Sequence, residues 1–181
     1  MWERGAPPRM RGGSRALQLG QEWRAMSAHT ATVTWQRGDD DFAAGHYSRA
    51  HEIAFDGGIT VQGSASPSVV KAPYSREDAV DPEELLVASL STCHMLWFLD
   101  LARRAGFVVE AYEDSASGVM GKDDRGKIAV TQVKLNPQIL WGGAKQPAPE
   151  EVRELHHKAH EACFIANSFR GDIAIGGGEA H

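Results

Sequence analysis

Residues 81–106, DPEELLVASLSTCHMLWFLDLARRAG, decide how the chain is organised, because they form its most apolar stretch and carry one cysteine, Cys93, near the middle. Asp81 is suited to cap a helix, Pro82 to occupy its first position, and Glu84, three residues after the cap, to complete a capping box. Gly106 supplies the stop. The predicted helix spans about 36 Å at 1.5 Å per residue, enough to run through the middle of a small domain. Leu86, Leu90, Cys93 and Trp97 fall near one stripe at 100° per residue, so the thiol faces an apolar layer. Apolar residues also surround much of the helix, more than one sheet face covers, which predicts a homodimer in which two such helices pack together.

On either side of this helix the pattern changes to strands. HTATVTW, 29–35, places Ala31, Val33 and Trp35 on one face and predicts a half-buried strand. YSRAHEIAFDGGITVQGSAS, 47–66, reads as a hairpin turning at Asp56-Gly57-Gly58, with Arg49 in its first strand. After the helix, 107–121 and 126–141 alternate β-branched with polar residues around the turn KDDRG, which predicts two long strands paired with each other. Pro147 and Pro149 punctuate a second helix over 149–168, and GDIAIGGG offers a last short strand. The order is strands, helix, strands, helix, strand. That is an α+β pattern of mainly antiparallel pairing with a long central helix.

The 181 residues suit one domain, 28–181, preceded by an arm over 1–27 that carries five Arg among Gly and Pro and has no sustained apolar period. Met26 precedes the first alternating segment, so the arm reads as an upstream extension. A formal charge of -5 gives no basic surface for nucleic acid, and the apolar runs stay below the roughly 18 residues of a membrane span. Two cysteines seventy positions apart, with no secretory signal, fit a reducing cytoplasm better than a disulfide framework.

By periodicity alone Cys93 is a small core filler, and burial would make its thiol inert. Reactivity requires a nearby positive charge, since the thiolate is the nucleophile and mid-helix position provides none. Arg49 and Arg76, in the loop before the helix, are the candidates. Of the two acids opening the helix, Glu83 leans towards the face of Cys93 and Glu84 away from it. An arginine between Glu83 and the thiol could pair with the acid and present its remaining charge to sulfur. In the second helix His156, His160 and Cys163 stand four and three residues apart on one predicted face. That spacing admits metal ligation, with His94 or Asp100 contributing, or a redox partnership in which Cys163 approaches Cys93.

DPEELLVASLSTCHM together with HEACFIANSFRGDI resembles the OsmC and Ohr family of osmotically inducible and organic hydroperoxide resistance proteins, over about residues 28–175. The resemblance implies an intertwined homodimer with sites at the subunit interface. It implies a thiol peroxidase needing neither metal nor flavin. Cys93 attacks an organic hydroperoxide, Cys163 resolves the resulting sulfenic acid as a disulfide, and an external dithiol, lipoyl-type or other, closes the cycle. Glu83 matches the family's Pro-Glu acid. Arg49 matches the Ohr-type arginine before the hairpin turn and Arg76 the OsmC-type position, and both stay open. Phe164 departs from the family's frequent Cys-Pro, and the segment around Cys93 is unusually aromatic. Two other readings are a binding protein of the same fold, holding an apolar ligand or a metal at His156, His160 and Cys163, and an inert dimeric module.

Overall fold

The computed structural model describes residues 28–176, so the Arg-rich arm falls outside the described residues. The first sheet is antiparallel, β1 (Ala31–Thr34), β2 (His51–Phe55) and β3 (Thr60–Gly63), in that order. Its β2–β3 turn is the expected one: Phe55 N donates to Ile59 O, and Gly58 takes a φ of 82° that side-chain-bearing residues avoid. Helix α1 (Pro82–Arg104) follows a parallel bridge between Gly63 and Val80. The capping box forms as predicted, Asp81 accepting from Glu84 N and Glu84 from Asp81 N. Acids in its first turn and Arg103 and Arg104 in its last complement the helix dipole.

The two long strands are each broken once. β4 (Val108–Asp114) pairs antiparallel with β7 (Pro137–Gly142), and β5 (Ser117–Lys122) with β6 (Ile128–Leu135), so one ribbon is divided into two sheets. At the break Asp114 takes the place of a ladder partner, its carboxylate accepting from Asn136 N at 2.6 Å and from Ser91 Oγ on α1. β8 (Asp172–Ile175) joins β6 in parallel, the one parallel strand pair among the described strands. Helix α2 (Pro149–Ala162) ends earlier than the sequence predicts, and a short 3-10 turn over Ala166–Ser168 follows.

Helix α1 links two cores. Leu90 packs with Val133, Leu135 and Ile173 beneath its N-terminal half, and Phe98 and Ala102 pack with Phe107, Leu155 and Ala159 beneath its C-terminal half. The buried stripe is Leu90, His94, Phe98 and Ala102. Successive i,i+4 steps drift by about 40°, which carries this stripe off the predicted one and leaves Cys93 half-buried at its rim. By length and composition α1 could cross a membrane, contrary to the run-length expectation. Its place against both sheets and α2 makes it the central helix of the fold.

The first sheet departs most from expectation. β1 forms, but all four residues are exposed, Val33 at 63%. Hydrogen bonds tie this sheet to the 74–80 loop, as in Ser64 N to Val80 O and Arg49 N to Tyr74 O, while both described cores form without it. Arg49 lies two residues before β2 rather than within it.

Candidate active site

Cys93 sits on α1 and Cys163 is the residue at which α2 stops. With φ -69° and ψ 111°, Cys163 leaves the helical path, held by its N–H to His160 O. It therefore does not stack over His156 and His160 as a continuous helix predicts. The turn aims it at α1 instead. Cys163 is 1% exposed and lies close enough to Cys93 for the two side chains to interact, which, after burial, favours the protonated Cys163 thiol. Burial, reinforced by that interaction, pushes the Cys163 thiol up to about 11. Ala166 N donates back to Cys163 Sγ at 3.3 Å. The redox juxtaposition that the sequence left open is thus present: one half-buried thiol and one buried, protonated thiol in contact, with no disulfide between them.

Aromatic side chains adjoin the pair. Trp97, one turn beyond Cys93, meets Phe164, the neighbour of Cys163, edge to face at 5.6 Å. Phe164 is 69% exposed, an apolar ring that the sheets and helices described here leave largely uncovered.

The charged candidates are distributed unequally. Glu84 is committed to the helix cap, whereas the half-buried Glu83 has no hydrogen bond or ion pair among the described residues. Glu83 lines a cavity of about 740 Å³ beside the first turns of α1, together with Asp81, Ser91, Asp114 and Met120, and neither cysteine reaches it. Arg76 is engaged by Asp78 through two bonds of 2.8 and 2.7 Å, and its charge is therefore already matched. Arg49 has no acidic partner among the described residues. Its guanidinium lies 3.7 Å from the centre of the Tyr47 ring, 5.8 Å from that of Tyr74, and donates to the carbonyls of Tyr47 and Gly45. Within a single chain neither arginine forms a hydrogen bond or ion pair with Glu83 or Cys93.

The histidines do not form the donor set that their spacing admits. Asp100 is paired with Arg103 and Arg104 at 2.8 and 2.7 Å. His94 Nε2 lies 3.0 Å from His156 Nδ1, which commits those nitrogens to each other. Among the described residues no group of three or more His, Cys, Asp or Glu side chains could hold a metal ion. Burial, with His156 and His160 adding to it, lowers His94 to about 3, and burial lowers His156 to about 4, so both rings are neutral at pH 7.

Sequence reasoning missed the polar residues behind this pair. Asp114 favours the protonated form of His156, and Tyr112, two residues earlier on β4, has a buried hydroxyl without a partner among the described residues. The alternation along 108–114 was signal enough to place Tyr112 and Asp114 on one face. Their convergence with Ser91 depends on the break in the ribbon, which no local pattern marks.

A central helix with a thiol at its rim, met by a second thiol at the cap of the following helix, defines an α+β protein with a paired-cysteine centre. The model of the family described as OsmC-like protein matches residues 75–176. A structure of an OsmC-like protein of unknown function from Vibrio cholerae is 48% identical, covering 83% of this chain and 98% of that one with a TM-score of 0.81. The chain belongs to the OsmC-like family. The fold is shared with an organic hydroperoxide resistance protein from Elizabethkingia anophelis, 21% identical, covering 83% of this chain and 93% of that one, TM-score 0.61. It is shared too with the organic hydroperoxide resistance protein OhrB of Bacillus subtilis, 19% identical, 82% and 95% covered, TM-score 0.56. No curated protein matches the sequence.

Proposed function

We propose that this chain is a cysteine-based peroxidase that reduces organic hydroperoxides in the cytoplasm, as a homodimer. The observation that carries the reading is the contact between half-buried Cys93 and buried Cys163. The Cys93 thiolate attacks the terminal oxygen of ROOH. The O–O bond breaks, RO⁻ takes a proton and leaves as ROH, and Cys93 becomes a sulfenic acid. The Cys163 sulfur then attacks the Cys93 sulfur, and its proton leaves with the hydroxyl as water, forming the disulfide. Cys163 is held protonated beside Cys93, so this proton starts close to the departing oxygen. An external dithiol, lipoyl-type or other, supplies two electrons and two protons to restore both thiols. The aromatic ring pair and the apolar helix beside the thiols suit an alkyl or aryl group better than hydrogen peroxide.

The thiolate needs a charge, and Arg49 is the better source because Asp78 neutralises Arg76. Arg49 lies just ahead of β2, at the edge of a sheet that the described cores do not cover. In the proposed dimer the first sheet of one copy lies over the other and brings Arg49 to Glu83 and Cys93 at the interface. The exposed Val33, Trp35 and Leu96 are apolar surface for that contact. Relatives named for organic hydroperoxide resistance share the fold, which accords with this reading. Turnover of cumene hydroperoxide with dihydrolipoamide tests it: Cys93→Ser is expected to abolish turnover, and an unchanged rate would rule the mechanism out.

A further inference from the structure

The α1–α2 interface is built mainly from Phe98, Ala102, Leu155 and Ala159, and one polar bond is set into it. That bond joins His94, 1% exposed, to His156 at 3.0 Å, with the rings 10° from parallel. His156 also stacks on Phe98, 4.4 Å between ring centres. The other nitrogen of His94, Nδ1, is buried and has no hydrogen-bond partner among the described residues. An unsatisfied buried polar atom keeps its full desolvation cost, so an apolar pair of similar shape would make a more stable interface. The stability of the fold does not account for this pair.

Its position does. His94 directly follows Cys93, and His156 lies seven residues before Cys163, on the helix whose end presents that thiol. Apolar contacts are non-directional and let packed helices shift or rotate at little cost. A hydrogen bond has a narrow range of length and angle, and buried polar pairs serve best as devices that fix register. A disulfide is equally exacting, with Cα atoms usually 4.4–6.8 Å apart and a preferred dihedral angle. We infer that His94 and His156 are positioning residues, whose hydrogen bond sets the register of α1 against α2 and thereby holds Cys93 and Cys163 in line for disulfide formation. The inference deepens the peroxidase reading and concerns its second step alone, in which Cys93–SOH and Cys163–SH give the disulfide and water.

The test uses the full chain and three variants: His156→Leu, His94→Phe, and His156→Gln, which keeps a hydrogen-bonding group. Each is equilibrated in dithiothreitol redox buffers to obtain the Cys93–Cys163 potential, and disulfide closure is timed after one equivalent of cumene hydroperoxide. Sulfenic acid formation is timed separately in a Cys163→Ser background. Both apolar variants are expected to melt no lower than the parent and to form sulfenic acid within about two-fold of its rate, yet to close the disulfide about ten-fold more slowly. A ten-fold loss of thiol alignment raises the potential by about 30 mV. His156→Gln should recover most of both. Unchanged closure and potential in either folded apolar variant would overturn the inference, and two apolar routes keep one folding failure from deciding the matter. The redox equilibrium needs no peroxide. A chain whose potential responds to His156→Leu but which turns over no hydroperoxide keeps the register and loses the peroxidase reading, whereas turnover with an unresponsive potential does the reverse.

Discussion

Beneath α1 the body closes on itself: Leu90 and Phe98 are fully buried, one in each core, and Cys163 is sealed between the second helix and the first. The first sheet has the same alternating chemistry but leaves Val33 63% and Trp35 39% exposed. Arg49, just ahead of its second strand, is a cation without an acid among the described residues, while the body holds Glu83, an acid without a cation among them. Each region has what the other lacks. Taken together, these unmatched groups support the proposed dimer, in which a second copy completes the site, although the thiol pair is assembled within one chain.

The largest effect of a single substitution is expected in the body. Leu90→Ala removes a fully buried side chain beneath α1 and should cost about 2–5 kcal/mol in chemical unfolding. A loss below about 1 kcal/mol would mean that α1 is not the organising element.

Acid acts through the body as well, with an effect of comparable size at the low end of the pH range. His94 and His156 sit near 3 and 4 when folded against 6.5 as the ordinary value, so below pH 6.5 the unfolded chain binds more protons than the native one. Native stability is therefore complete above pH 6.5 and falls as the pH drops towards 4, each histidine adding a slope that approaches about 1.4 kcal/mol per pH unit. Urea unfolding between pH 4.5 and 7.5 measures this slope, and His94→Phe should reduce it by about half. A slope that His94→Phe leaves intact would assign the acid sensitivity to other groups.

The third effect couples the two regions. If the sheet acts on the body across the dimer, Arg49→Ala should slow alkylation of Cys93 at neutral pH by about ten-fold, because less of it is thiolate, and Arg76→Ala should leave the rate in place. Equal slowing in both variants, or none in Arg49→Ala, would break the assignment. The smallest effect belongs to the sheet alone. In dilute monomer Val33→Ser should change stability by no more than about 0.5 kcal/mol, whereas at concentrations that support the dimer it should lower a melting temperature that has become concentration-dependent. Analytical ultracentrifugation alongside the melts separates these regimes.

How much of this was legible in the sequence follows from the range of the forces involved. Asp81, Glu84 and Gly106 act on their own neighbours, so the limits of α1 could be read directly, as could the hairpin at Asp56-Gly57-Gly58. Period-two alternation identified β1 but not its cover, because alternation records which face seeks burial and says nothing about the chain that provides it. The halving of the long ribbon depends on Asp114 reaching Asn136 and Ser91, contacts of 22 and 23 residues' separation. Cys163 was assigned to a helix because nothing at Ala162 or Cys163 is a standard helix stop, and the turn that brings it to Cys93 is held by Ala166 and His160. His94 read as one possible metal ligand, since its bond to His156 exists only once the two helices are packed.

Whether Cys93 and Cys163 form one redox unit is tested most directly by the mass of the cysteine peptides after one equivalent of cumene hydroperoxide. A single intramolecular Cys93–Cys163 disulfide is expected in the parent chain and, in Cys163→Ser, one oxygen added to Cys93 that a sulfenic-acid probe captures. Two free thiols after the peroxide is consumed, or oxidation that begins at Cys163, would contradict it.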